Sequence, residues 1–338
     1  MRIFSGIQPT GRKHLGNYIG AIRQYVIGQD SPGLAGPDDA IYCIVDLHAI
    51  TVAYDPAELR ERVHDTAALL LAAGLDPARC ILFRQGDVRE HTELAWLLQA
   101  VTAWGDLNRM NQWKVKREQI EQQTGAFVSA GLFNYPVLQA ADVLAYRATE
   151  VPVGDDQRQH IELTREVARR FNERFGDTLV EPEHRIPEQG ARIMDLQDPT
   201  AKMSTTAGGE NGRVYVLDGA DAIRKKFRSA KTDSGREVRR GEGKEGIANL
   251  IDILSVASGA TPEQIEADFE DSGYGDFKTA VGDAVAEFLA PVRERYEELR
   301  PDEAELERIL AGGAERARAI ASGTLADVRE RMGVGEPS

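Results

Sequence analysis

Arg2-Ile3-Phe4-Ser5-Gly6-Ile7-Gln8-Pro9-Thr10-Gly11 and, two residues on, His14-Leu15-Gly16-Asn17 decide the fold. Arg2 to Ser5 reads as a short strand and Gly6 to Gly11 as a turn rich in breakers. Leu15 to Ile27 has helical spacing, with Leu15, Ile19, Ile22 and Val26 on one side. A strand that turns tightly into a helix leaves free N–H groups and a positive dipole end at the turn, a setting suited to phosphate. Gly16 gives room for a flat ring or a phosphate, and His14 and Asn17 add side-chain donors.

Outward from this unit the alternation continues. Ser31 to Asp39, with two Pro and two Gly, is a loop, and Ala40 to Val45 is a continuous apolar run, the mark of a strand buried on both faces. Glu58 to Ala73 is a helix stopped by Gly74, Cys80 to Phe83 a second buried strand, and His91 to Ala103 a helix. Strand and helix in alternation indicate a parallel α/β sheet of Rossmann type, which binds ligands beyond the carboxyl ends of its strands. The polar segment 104–131, with Arg109, Lys114, Lys116 and Arg117, interrupts the pattern as a connective insertion. Val151-Pro152-Val153 is a short strand leading to Gly154, and Gln157 to Phe175 an amphipathic helix. After Asp198 only Val214 to Leu217 resembles a strand, and the remainder is helical. The expected domains are a catalytic α/β domain over 1–206 and a mainly helical one over 207–338, whose last helix packs back on the first.

The chain has 338 residues, 42% apolar, enough for two domains with sizeable cores. Its net charge of −14, from 41 basic and 55 acidic side chains, argues against broad affinity for nucleic acid. Charge is uneven, however: Arg224 to Lys244 holds nine Lys/Arg against three Asp/Glu, a stretch suited to a selective polyanion contact. Cys43 and Cys80 lie in apolar runs and read as buried thiols, not as a disulfide framework. Without a signal peptide or membrane-length apolar stretch, a cytoplasmic protein with no membrane partner is expected.

Lys202-Met203-Ser204 stands about 185 residues beyond the first signature. A lysine is a mobile point charge suited to phosphate, and beside His14-Leu15-Gly16-Asn17 on the first helix of a parallel sheet chance is a poor account of the pairing. Asp46-Leu47-His48 offers two metal ligands, but no third stands at a fitting spacing, so no tightly bound metal is expected. His160 reads as a polar-face residue of its helix, and Trp96, Trp104 and Trp113 as core and interface packing.

The two signatures resemble those of class I aminoacyl-tRNA synthetases. The stretches from Phe4 to Gly11, His14 to Ala21, Val45 to Thr51, Ala140 to Tyr146, Val151 to Leu163, Gly190 to Met194 and Thr232 to Ser234 narrow the resemblance to the bacterial type of tryptophanyl-tRNA synthetase. That resemblance implies activation of L-tryptophan by ATP with Mg²⁺, transfer to the 3′ end of tRNA(Trp), a homodimer, and an anticodon-binding helical domain. It assigns Gln8, Pro9, Thr10, His14, Gly16 and Asn17 to the ATP site, Gly154, Asp155 and Asp156 to the ribose, and Ile193 and Met203 to the adenine. Lys202, Ser204, Thr205 and Thr206 belong to the phosphate loop, with Lys202, Lys114 and Gln8 as the catalytic groups. Asp142 would accept the indole N–H, while Phe4, Gly6, His48, Tyr135 and Val143 line the pocket and Gln157 meets the amino-acid backbone.

The chain departs from the family at Thr205, where a second lysine is usual. Three other readings are a tyrosyl-tRNA synthetase, a small nucleotidyltransferase with a related turn, and a non-catalytic paralogue that binds tryptophan or RNA.

Overall fold

Five short runs form one parallel sheet: β1 (Ile3–Ile7), β2 (Ala40–Ile44), β3 (Ile81–Arg84), β4 (Glu150–Pro152) and β5 (Glu183–Arg185), in the order β3-β2-β1-β4-β5. The protein is described by a computed structural model covering residues 1–122, 127–154, 157–185, 192–205 and 208–335. β2 is buried along its whole length, as its unbroken apolar run requires. The chain adds strands on one side of β1 up to β3 and then crosses to β4 on the other side. The reversal between β1 and β4 is the switch point at which such sheets bind ligands. Gln8 to Thr10 leave the carboxyl end of β1, and Gly154 follows that of β4.

The helices of the first half are α1 (Leu15–Asn17), α2 (Arg23–Gly28), α3 (Asp46–Ala49), α4 (Pro56–Ala72), α5 (Glu90–Gln99), α6 (Trp104–Arg109), α7 (Asn111–Glu121), α8 (Ala130–Leu144) and α9 (Arg158–Phe175). α1 and α2 are joined by a wide π turn at Tyr18–Ile22. α6 and α7 fall within the polar segment 104–131. α4 starts where Asp55 accepts the N–H groups of Ala57 and Glu58, with Pro56 at the first helical position, and Gly74 beyond its end has a φ of +110°. Then come α10 (Ala220–Arg228), α11 (Glu245–Ser258), α12 (Pro262–Asp268), α13 (Tyr274–Leu299) and α14 (Glu303–Met332).

The chain divides into two units, each compact in itself. The first comprises Met1–Thr10, Tyr25–Pro187 and Asp302–Ser338; the second comprises Gly11–Gln24 and Glu188–Pro301. In the first unit, α14 lies directly on β3 because Gly313 has no side chain. A Cβ there would stand 1.9 Å from the carbonyl oxygen of Leu82. Ala314, Ala317, Ala321, Leu325 and Val328 of α14 join a core shared with Phe83, Leu94, Leu144, Ile161 and Phe171. In the second unit, α13 packs against α10 and α11, and a Cβ on Gly282 would come within 3.2 Å of the Arg224 backbone. Both cysteines are buried thiols. Among the described residues no helix is long and apolar enough to cross a membrane.

Candidate active site

In the first unit the site is built around one carboxylate. Asp142 sits near the end of α8, buried, and takes three hydrogen bonds. Gln85 Nε2 donates to Oδ1 at 2.7 Å, His91 Nδ1 lies 2.5 Å from the same oxygen, and His48 Nε2 lies 2.8 Å from Oδ2. Burial alone would raise the Asp142 carboxyl; the bonds from His48 and His91 outweigh it and hold it at about 2. Asp142 is therefore an ionised acceptor at neutral pH. A carboxylate has about four lone-pair sites, and three are met here, which leaves one on Oδ2.

The wall of this pocket is aromatic. Phe4 stacks on Tyr146 with ring centroids 5.4 Å apart, and the Tyr146 hydroxyl meets His91 Nε2 at 2.5 Å. Gly6 admits Val45, whose Cγ1 would stand 3.0 Å from a Cβ. Tyr135, seven residues before Asp142 and so on the same face of α8, bonds His160 Nε2 at 2.8 Å. Val143 is buried beside Asp142. Gln157 Oε1 accepts from Gln139 Nε2 at 3.5 Å.

His160 is a correction to the sequence reading: it is buried against Tyr135 and does not lie on a polar face. Asp46 and His48 do not converge as metal ligands. Asp46 accepts the N–H of Gly86 at 2.9 Å, while His48 turns to Asp142. On α7, Lys114 is exposed, whereas Lys116 is half-buried with Nζ 5.0 Å from the Tyr135 ring centroid, and burial lowers its ammonium pKa. Asp155, Asp156 and Thr206 lie outside the described residues.

The second unit brings the two signatures together. His14 caps α1: its Nδ1 accepts the N–H of Asn17 at 3.2 Å, while Asn17 Oδ1 accepts the N–H of His14 at 3.1 Å. Burial, then the charges of Lys202, Lys13 and Arg213, lower the imidazole pKa to about 4. His14 is thus neutral at pH 7 with its proton on Nε2, a fixed donor. Gly16 is closely packed here, since a Cβ would stand 3.1 Å from the His14 ring and 3.6 Å from Ile193.

The loop of the second signature is held by backbone pairing. Met203 N–H bonds Ile193 O at 3.0 Å, Asp195 N–H bonds Ala201 O at 2.9 Å, and Leu196 N–H bonds Gly212 O at 2.9 Å. The segment after Gly212 then pairs with the first signature: Leu15 N–H bonds Val214 O at 2.7 Å and Val216 N–H bonds Lys13 O at 3.0 Å. Asn249, buried on α11, clamps Met194 by accepting its N–H at 2.9 Å and donating to its carbonyl at 3.1 Å. Lys202 is exposed, Met203 buried, and Ser204 and Thr205 half-buried.

Sequence reasoning missed Gln85, His91, Tyr146 and Asn249, and it offered Arg213 only as one base after residue 206 that could make up for the lysine missing at Thr205. The signal for the first two was a run of polar side chains where an apolar strand gives way to the next helix. Of the nine bases in the stretch Arg224 to Lys244, Arg224, Lys226, Arg240 and Lys244 form ion pairs. Lys225, Arg228, Lys231, Arg236 and Arg239 are exposed.

Residues 1–290 match the family of class I tRNA synthetases (W and Y). A tryptophan–tRNA ligase of Wolinella succinogenes is 48% identical over 333 residues, 98% of each chain. Among solved structures, the tryptophanyl-tRNA synthetase of Mycoplasma pneumoniae superposes with a TM-score of 0.88 at 34% identity, covering 99% of this chain and 98% of the other. That of Campylobacter jejuni, solved with ADP and tryptophan, gives 0.82 at 32% identity, covering 99% and 100%.

Proposed function

This chain belongs to the class I tRNA synthetases (W and Y), and on that premise we infer that it is a tryptophan–tRNA ligase that activates L-tryptophan with ATP. The observation that carries the choice of amino acid is Asp142: a buried, ionised acceptor with one lone pair to spare. An indole N–H donates and cannot accept, so it complements that group. Phenylalanine brings no donor and would leave the lone pair unmet, at about 1–3 kcal/mol or more. Phe4, Gly6, His48, Tyr135 and Val143 supply the pocket wall, and Gln157 the contact with the amino-acid backbone.

In the first step the tryptophan carboxylate attacks the α-phosphorus of ATP. The α–β phosphoanhydride bond breaks, giving tryptophanyl-adenylate and pyrophosphate. In the second, a 3′-terminal ribose hydroxyl of tRNA(Trp) attacks the acyl carbon and AMP leaves. The carboxylate is already ionised at pH 7, so no general base is needed for activation. The protein's contribution is positioning and charge.

Gln8, Pro9, Thr10, Gly16 and Asn17 border the nucleotide, and the His14 Nε2–H is a neutral donor for a phosphate oxygen. Gly154 with Asp155 and Asp156 suits the ribose, and Ile193 and Met203 the adenine. Lys202 and Ser204 serve the leaving phosphates with the loop through Thr205 and Thr206, and Lys114 of α7 reaches the α-phosphate. Mg²⁺ dehydrates reluctantly and is usually held largely by substrate phosphates, so it belongs with ATP.

Trp96 and Trp104, each 72% exposed, and Phe127, 81% exposed, are large aromatic side chains that the first unit leaves uncovered, which supports a homodimer. The exposed bases from Lys225 to Arg239 support backbone contact with tRNA by an anticodon-reading helical domain, in a cytoplasmic enzyme. ATP–pyrophosphate exchange with each of the twenty amino acids tests the assignment. Tryptophan alone should drive exchange efficiently; faster exchange with tyrosine, or none with any amino acid, overturns it.

A further inference from the structure

The signature loop from Lys202 to Thr205 carries one cation, while the leaving pyrophosphate develops several negative charges. Arg213 is a cation that touches this loop. Its Nη1 donates to Thr205 O at 3.1 Å and to the Tyr215 hydroxyl at 3.3 Å, and its Nη2 to Gly208 O. Tyr215 is braced in turn by its own bond to Glu210 at 2.9 Å.

The backbone fixes this placement. Gly212 O, just before Arg213, takes the N–H of Leu196, and Val214 O, just after it, takes the N–H of Leu15. Arg213 therefore sits where the ribbons of both signatures meet, within one unit. A guanidinium has five N–H donors. The loop carbonyls and the Tyr215 hydroxyl use three, and the buried Nε meets no acceptor among the described residues. A buried donor without a partner is costly unless a ligand or water meets it.

We propose that Arg213 is a phosphate-binding residue of the activation step, supplying at Thr205 the positive charge that the loop itself lacks. The proposal rests on the adenylate-forming reading above. Wild-type exchange with tryptophan tests that reading by itself, so a loss confined to the variants speaks to Arg213 alone.

The test uses the full-length protein, with tryptophan binding measured without ATP as the control for folding. Arg213→Gln should lower kcat for ATP–pyrophosphate exchange by roughly a hundredfold, the scale of losing one charge-stabilising donor, with tryptophan binding intact. Adding Thr205→Lys to that variant, so that a lysine replaces the threonine Arg213 touches, should restore at least about tenfold. Arg213 acting only as a loop tie predicts the loss without the rescue, and that result overturns the proposal. So does an Arg213→Gln enzyme that exchanges at the wild-type rate.

Discussion

The pocket around Asp142 and the loop from Lys202 to Thr205 use opposite physics. In the first, a buried charge is fixed by three hydrogen bonds, and its neighbours are rigid aromatic rings. In the second, the leading charge is exposed on a long flexible stem, and the backbone beneath it is what is fixed. A buried hydrogen bond discriminates strongly because an analogue that cannot make it leaves a desolvated group unpaired. An exposed cation discriminates little between amino acids but acts wherever charge develops on phosphate. The division predicts which variants lose selectivity and which lose rate.

The largest effect is expected at Asp142. Asp142→Asn turns an acceptor into a group that presents N–H to the donors of His48, His91 or Gln85. Its kcat/KM for tryptophan should fall on the order of a hundredfold or more, with a smaller loss for phenylalanine. A comparison of the two substrates by pyrophosphate exchange checks this, and equal losses would show that Asp142 does not read the indole.

Next comes the support beneath the pocket. β3 leads directly into Gln85 and is covered by α14 through Gly313. Gly313→Ala forces backbone apart and should destabilise the protein by about 1–3 kcal/mol. Gly312 has open space at its Cβ, so Gly312→Ala should stabilise by up to about 1 kcal/mol through helix propensity alone. Urea midpoints of the two neighbours should therefore move in opposite directions; a shared direction would remove the close packing of α14 on β3.

The smallest effect belongs to the second unit and to pH. The His14 imidazole titrates near 4 in the fold and near 6.5 when unfolded. Between those values the unfolded chain binds a proton that the folded one refuses, so stability rises with pH across that window and its His14 component is flat above it. One group contributes at most about 1.4 kcal/mol per pH unit. His14→Gln should flatten the rise in denaturant midpoint between pH 4.5 and 6.5, and an unchanged slope would mean that His14 is charged in the native state.

Much of this was legible in the sequence, and unevenly. The unbroken apolar runs Ala40 to Val45 and Cys80 to Phe83 could only be strands buried on both faces, and they gave the parallel sheet. His14, Gly16 and Lys202 were legible by type and spacing. The partners of Asp142 were not, because Gln85 and His91 come from the turn after β3 and from α5, far along the chain, and neither carries a local pattern that names its acceptor. Nor was the union of Gly11–Gln24 with Glu188–Pro301 legible, since it rests on backbone pairing around Val214, too short to leave a periodic trace. Arg213 was legible only as a base, alongside Lys114, that could make up for Thr205; what the sequence did not give is its guanidinium on the carbonyl of Thr205.

The contrast between pocket and loop is tested most directly by titrating tryptophan, without ATP, into the wild-type protein, Asp142→Asn and Lys202→Ala. We expect Lys202→Ala to bind tryptophan as the wild type does while losing pyrophosphate exchange, and Asp142→Asn to weaken binding by about tenfold or more. Equal weakening by both substitutions, or full binding by Asp142→Asn, would contradict the assignment of selectivity to the buried carboxylate and rate to the loop.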